Sequence, residues 1–216
     1  MDLVIFDLDG TLIDSSRDLA NSVNATRAWL HLPPLENKLV YSYVGNGATV
    51  LIQKALGPNC SDGEVQSALA YFLGYYREHM LDYTVLYPGV RDVLDRFHDA
   101  GIKMAVLTNK PVRFSQGIID GLGLTAHFQR VYGGNSFDQK KPHPVGIETL
   151  IAEYGVSREK TIMVGDSSVD VQTARNAQVP VCGVTWGFQP ETFAEYPPDF
   201  LIDTPEELPA RIIGRG

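Results

Sequence analysis

The chain is short of what three broad protein classes require. It has two cysteines, Cys60 and Cys182, far apart in the sequence, so a disulfide framework is excluded and two buried, reduced thiols are expected. Its 18 Lys and Arg are outnumbered by 26 Asp and Glu, giving a net charge of -8. That balance excludes DNA and RNA as partners, because phosphate backbones are held by clustered basic side chains. A small phosphorylated ligand stays possible, since a bound cation supplies positive charge locally. No apolar run approaches the roughly 18 residues of a membrane helix. The chain begins at Met1 and enters an apolar strand at once, without a charged n-region or cleavage site. A cytoplasmic protein is expected, with no membrane partner; the sequence sets no oligomeric state. Internal repeats and low-complexity tracts are also lacking.

What is present reads as a globular chain: 216 residues, 44% hydrophobic and 20% charged. Leu3-Val4-Ile5-Phe6 is a continuous apolar run, as in a parallel strand covered on both faces. Similar runs are Met104-Ala105-Val106-Leu107, Thr161-Ile162-Met163-Val164 and Val181-Cys182-Gly183-Val184, with a short one at Phe200-Leu201-Ile202. Helical stretches at 90–100, 112–123, 144–155 and 168–178 separate them. Strands alternating with helices predict an α/β fold with a Rossmann-like parallel sheet. Between the first strand and Pro88-Gly89 no strand is evident. Asp14-Ser15-Ser16 offers helix N-caps, and helical patterns follow up to Leu30, over Val40 to Leu56 with a break at Gly45-Asn46-Gly47, and over Glu64 to Leu81. The expectation is an all-helical insert at 15–84 within a core made of 1–14 and 85–216.

Three of these strands end in polar residues: Asp7 and Asp9, Thr108 and Asn109, and Asp166. Ligands of open parallel sheets bind beyond the carboxyl ends of the strands, so these groups are expected to converge there, with Lys141 reaching in from a loop. Asp7 and Asp9 share one face if the strand geometry continues, and Gly10 permits a sharp turn. Two adjacent carboxylates repel; a divalent cation relieves the conflict, and hard oxygen ligands suit Mg²⁺. Read alone, Asp7-Leu8-Asp9-Gly10 is equally a simple turn.

Longer strings decide between these readings. Phe6-Asp7-Leu8-Asp9-Gly10-Thr11-Leu12-Ile13-Asp14-Ser15, Val106-Leu107-Thr108-Asn109-Lys110-Pro111, Lys140-Lys141-Pro142-His143-Pro144 and Val164-Gly165-Asp166-Ser167-Ser168-Val169-Asp170 resemble, in order, the four signatures of the haloacid dehalogenase superfamily. Val44-Gly45-Asn46-Gly47 and Tyr87-Pro88-Gly89-Val90 resemble its phosphoglycolate phosphatase branch. The resemblance implies a phosphoric monoester hydrolase with a C1-type helical cap, Mg²⁺ as cofactor, a small phosphorylated metabolite as substrate, and a phosphorylated Asp7. Asp9 would protonate the leaving alcohol and then activate water. Mg²⁺ would take a carboxylate oxygen of Asp7, the main-chain carbonyl of Asp9 and a carboxylate oxygen of Asp166. Thr108 and the Asn109 amide would bind the phosphoryl group, and Lys141 would neutralise its charge. Asp170 would order Lys141 or a metal-bound water, or serve as a helix N-terminal carboxylate.

For 2-phosphoglycolate, Lys110 and the main-chain amides around Gly45, Asn46 and Gly47 are candidate donors to the carboxylate, Lys110 being equally an exposed lysine at a helix start. His143 reads as a loop residue, and Trp186-Gly187-Phe188 as packing beside the site. Asp9 excludes dehalogenases and phosphonate hydrolases by the same resemblance. Another small-metabolite phosphatase or pyrophosphatase, a sugar phosphomutase, and a catalytically silent phosphate sensor are the alternatives.

Overall fold

The structure is a computed structural model and describes residues 1–213; of the expected core segment 85–216, residues 214–216 lie outside the described residues. Strand β1 (Leu3–Phe6) shows why the central strands are apolar throughout. Leu3 and Ile5 enter one hydrophobic cluster and Val4 and Phe6 another, because alternate side chains point to opposite faces of a sheet covered on both.

Two very short strands, β2 (Ile13–Asp14) and β3 (Val85–Leu86), pair antiparallel and bracket the helical segment. Four helices lie between them: α1 (Ser16–Trp29), α2 (Asn37–Tyr41), α3 (Ala48–Leu56) and α4 (Asp62–His79). Beyond them run α5 (Val90–Asp99), β4 (Lys103–Leu107), α6 (Val112–Gly121), β5 (Arg130–Tyr132), α7 (Val145–Tyr154), β6 (Thr161–Gly165), α8 (Ser168–Ala177), β7 (Val181–Val184), β8 (Phe200–Ile202) and α9 (Leu208–Ile212).

Six strands form one parallel sheet in the order β5-β4-β1-β6-β7-β8. Helix α5 puts Val90, Val93, Leu94 and Phe97 on one stripe, which joins the cluster under β1 together with α6 and α9. Helices α7 and α8 cover the opposite face through Ile147, Leu150, Val171, Ala174 and Ala177. The chain leaves β1 for β4 and β5 on one side, then returns to β6 on the other. That reversal opens a crevice at the carboxyl ends of β4, β1 and β6.

The helical segment gathers a third cluster, in which Leu19, Ala20 and Val23 of α1 meet Leu51 and Ile52 of α3 and Ala68, Phe72 and Tyr76 of α4, with Phe114 of α6 closing it. A capping box at Ser61 and Glu64 starts α4.

The structure departs from the sequence reading in four places. Strands β2 and β3 occupy a stretch read as strandless; two residues each carry too little pattern to register. Strand β5, three residues at the sheet edge, went unread for the same reason. Of the three candidate caps Asp14, Ser15 and Ser16, Ser15 stands at the cap position but makes no side-chain bond to its helix, since the hydroxyl donates to Asp9 Oδ1 at 2.5 Å instead, while Asp14 Oδ1 accepts from Ser16 N. Cys182 is buried as expected, but Cys60 is half-exposed, and both are free.

Candidate active site

The Asp7 main-chain N–H donates to Val164 O at 2.9 Å, so the first residue beyond β1 stays bound to β6 and its carboxyl is set in the crevice. Gly10 then turns the chain at φ +81°, and a Cβ there would lie 2.1 Å from Asp166 Oδ2. Gly187 is equally constrained: a Cβ on it would stand 2.2 Å from Asp166 Cβ. Only glycines let these two backbones close on the carboxylate. Asp166 Oδ2 accepts the Phe188 N–H at 2.7 Å.

Lys141 is buried between two acids. Its Nζ donates to Asp170 Oδ1 at 2.6 Å and stands 3.0 Å from Asp7 Oδ1, an ion pair not aligned as a hydrogen bond. Asp170 is fully buried and accepts from Ser167 N and Oγ at 3.2 and 2.8 Å, which closes the first turn of α8. Burial pushes the Asp7 carboxyl up to about 6, with Lys141 opposing. Burial raises Asp166 as well, and the neighbouring Asp170 and Asp7 add to it. For Lys141 burial acts downward, yet Asp170 and Asp7 hold its ammonium above the ordinary value. The site thus concentrates more negative charge than its one lysine offsets.

Asp9 belongs to a second cluster. Lys110 Nζ donates to both of its carboxylate oxygens, at 2.9 and 3.0 Å, beside the Ser15 hydroxyl. Lys110 is 7% exposed, so the exposed-lysine alternative is set aside. Burial alone would lower its affinity for a proton, but Asp9 and Tyr76 raise it overall. Thr108 and Asn109 lie at the end of β4: Thr108 N–H donates to Tyr132 O, and Thr108 Oγ1 accepts from Lys110 N at 3.3 Å.

A cavity with an empty volume of about 520 Å³, including its open mouth, separates this wall from the helices. Asp7, Asp9, Thr108, Asn109 and Lys110 line it from the sheet; Val44, Gly45, Leu51, Phe72 and Tyr76 line it from the helical segment. Asn46 does not line it; its carbonyl accepts from Lys140 Nζ at 2.5 Å. Asn109 Nδ2 donates to Gly45 O at 3.0 Å and to Lys141 O at 3.1 Å.

A model of the haloacid dehalogenase-like hydrolases matches residues 4–184. The chain belongs to that family. A phosphoglycolate phosphatase of Colwellia psychrerythraea is 37% identical, over 96% of this chain and 95% of the relative. One of Pseudomonas putida is 42% identical, over 86% of this chain and 70% of the relative. The crystal structure of a predicted phosphoglycolate phosphatase from Haemophilus somnus superposes with a TM-score of 0.91 at 33% identity, covering 96% of each chain.

Within this haloacid dehalogenase-like chain the donor set fits a hard divalent cation. Among the described residues, carboxylate oxygens of Asp7, Asp166 and Asp170 all lie within 4.8 Å of one another, and all three residues are buried. Buried, mutually repelling carboxylates with only lysine compensation are what a divalent ion relieves. Since Asp170 is already spent on Lys141 and Ser167, Asp7 and Asp166 are the freer pair.

Several neighbours carried little sequence signal. Ser15 lies inside the first signature, where it reads only as one of three candidate helix caps. The backbone of 187–188 on Asp166 and the apolar wall of Leu51, Phe72 and Tyr76 could not be told from ordinary loop and core. His143 is an exposed loop residue, with Nδ1 accepting from Val145 N. Trp186 lies beside the site, its indole donating to Thr11 O at 3.2 Å.

Proposed function

We propose that the chain is a cytoplasmic, Mg²⁺-dependent phosphatase that hydrolyses 2-phosphoglycolate to glycolate and phosphate through an aspartyl-phosphate on Asp7. The observation that carries this reading is Asp7 itself: a buried carboxylate at the sheet's reversal point, beside Lys141, sharing a cavity with the second carboxylate Asp9. The names of the relatives support the choice of substrate.

In this reading the Asp7 carboxylate attacks phosphorus and the ester P–O bond breaks as Asp9 gives a proton to the leaving glycolate oxygen. Asp9 then takes a proton from a water molecule that attacks the phosphorylated Asp7, releasing phosphate and restoring the carboxylate. Thr108 and the Asn109 amide orient the phosphoryl oxygens. Lys141, held by Asp170, offsets charge on the group in transfer. Mg²⁺ would be held by Asp7, Asp166 and the Asp9 carbonyl, and would supply the charge that lets a carboxylate approach a phosphate dianion. Residues 15–84 act as a cap over a core of 1–14 and 85–216, enclosing the substrate and excluding water.

The test is a screen of phosphorylated metabolites with Mg²⁺, ranked by kcat/KM. Phosphoglycolate is expected to exceed glycerol phosphate, hexose phosphates and pyrophosphate by at least about tenfold, because donors left unpaired reject esters lacking the carboxylate. Equal or better turnover of a sugar phosphate or of pyrophosphate would overturn the substrate. Isomerisation of a sugar phosphate would point to a mutase, and absence of any turnover to a sensor.

A further inference from the structure

The side chains that the helical segment presents to the cavity are apolar except for one hydroxyl. Tyr76, on α4, is 1% exposed, and its hydroxyl lies beside Lys110 without a hydrogen bond of ordinary geometry. Its ring is fixed by Phe72, stacked at 5.7 Å between centroids, and by Phe114, edge-on at 5.4 Å. Lys110 Nζ stands 4.6 Å from the centre of the same ring. Lys110 is also the one cation among the cavity-lining side chains, in a cavity that Leu51, Phe72 and Phe114 line as well. A buried hydroxyl left unpaired is a standing cost that an acceptor on a ligand removes. Burial lifts the Tyr76 phenol up to about 12, against the pull of Lys110, so the group remains a neutral donor.

We propose that Tyr76 is a specificity residue: its hydroxyl and the Lys110 ammonium together form a subsite for the carboxylate of the substrate, the Lys110 ammonium passing from Asp9 to that carboxylate on binding. One cation and one hydroxyl in an apolar surround match a planar monoanion. A second phosphate group, with three charged oxygens, would leave acceptors unpaired there. The exchange also frees the Asp9 carboxyl from its bidentate partner, so that it can face the ester oxygen. This inference rests on the phosphoglycolate reading and deepens it.

The test compares 2-phosphoglycolate with ethyl phosphate, the same ester with methyl in place of carboxylate, in the wild type, in Tyr76→Phe and in Lys110→Met. In the wild type, kcat/KM is expected to favour phosphoglycolate. Tyr76→Phe should cut that preference by about tenfold, chiefly through KM, the size of losing a hydrogen bond to a charged group. Lys110→Met should cut it further. Melting of Tyr76→Phe without ligand should be unchanged or higher, because the variant removes an unpaired hydroxyl and keeps the ring. A wild type preferring phosphoglycolate, with the preference intact in Tyr76→Phe, would overturn the subsite and leave the substrate standing. Equal losses on both esters with a lowered melting temperature would assign Tyr76 a structural role and overturn the subsite too. A wild type with no preference would overturn the substrate reading and the subsite together.

Discussion

The two walls of the cavity are built on opposite principles. The sheet wall presents Asp7, Asp9, Thr108 and Lys110, just beyond the ends of parallel strands, with Asp166 after β6, Asp170 in the first turn of α8 and Lys141 on the loop before α7 behind them. The helical wall presents Leu19, Val44, Leu51, Phe72 and Leu73, with the Tyr76 hydroxyl its one polar side-chain group. Charge aimed at a reacting phosphate gains from a fixed scaffold, since nothing need reorganise during reaction. The apolar wall needs no such precision. Its contribution is to exclude water, which strengthens each charge interaction on the facing side. The walls meet through hydrogen bonds whose acceptors are main-chain carbonyls of the helical segment: Ser42, Val44, Gly45 and Asn46.

The largest expected break falls on the sheet wall. Asp7→Asn keeps the shape and removes the attacking anion, so turnover should fall at least about a thousandfold. Stability should move the other way. The Asp7 carboxyl is raised by burial from 3.8 to about 6, so the folded state holds its proton where the unfolded chain has released it. Its contribution is therefore full below about pH 4 and lost as pH rises through 6, on the order of 3 kcal/mol. Without metal, Asp7→Asn should melt above the wild type at pH 8 and lose that advantage at pH 4. Equal melting at both values, or activity near wild type in a preparation shown free of deamidation, would contradict the assignment.

Metal addition sharpens the same contrast at a smaller scale. Mg²⁺ should raise the melting temperature of the wild type, by about 3 kcal/mol of stabilisation at a hundredfold excess over its dissociation constant. The gain should shrink in Asp166→Asn, because that change removes a ligand. Chelation should abolish turnover and Mg²⁺ restore it, whereas Ca²⁺ should inhibit, its larger and looser shell misplacing Asp7 and phosphate. Full activity in excess chelator or in Ca²⁺ would remove the cation from the reading.

The same contrast explains what the sequence could and could not reveal. The sheet wall was legible because catalysis needs polar groups where strands otherwise end in turns; Asp7, Asp9, Thr108 and Asp166 stood out at the ends of apolar runs, whereas Lys141, in a polar loop, was picked out by the resemblance of its surroundings to the third signature. The helical wall was not. Phe72 and Tyr76 fall on the buried stripe of α4, and the side chains that line a cavity there share their spacing with those that fill a core. Lys110 was visible as a candidate, but its bond to Asp9 spans 101 residues of sequence and depends on the fold. The helices of the segment showed in their periodicity. The pairing of β2 with β3 joins residues some seventy positions apart and left no local pattern.

The smallest expected effect concerns the join between the walls. Gln189 Nε2 donates to Ser42 O at 2.9 Å and Val44 O at 2.8 Å, just ahead of the Gly45 carbonyl that Asn109 holds. Gln189 also follows Phe188, whose N–H rests on Asp166 and whose ring stacks on Tyr41 at 6.3 Å. One short stretch therefore touches both a candidate metal ligand and the helical wall. Gln189→Ala removes two partly exposed hydrogen bonds, together about 1 kcal/mol after exchange with water. If the helical segment closes over the substrate, that loss weakens the closed state and KM should rise about three- to tenfold, with kcat changed less. Melting should shift little, because neither hydrophobic face of the sheet is disturbed. Lys140→Ala tests the other side of the turn, where the ammonium meets the Asn46 carbonyl. If KM for phosphoglycolate is unchanged in both variants, and in the two combined, the walls are held by packing alone and these bonds contribute nothing to closure.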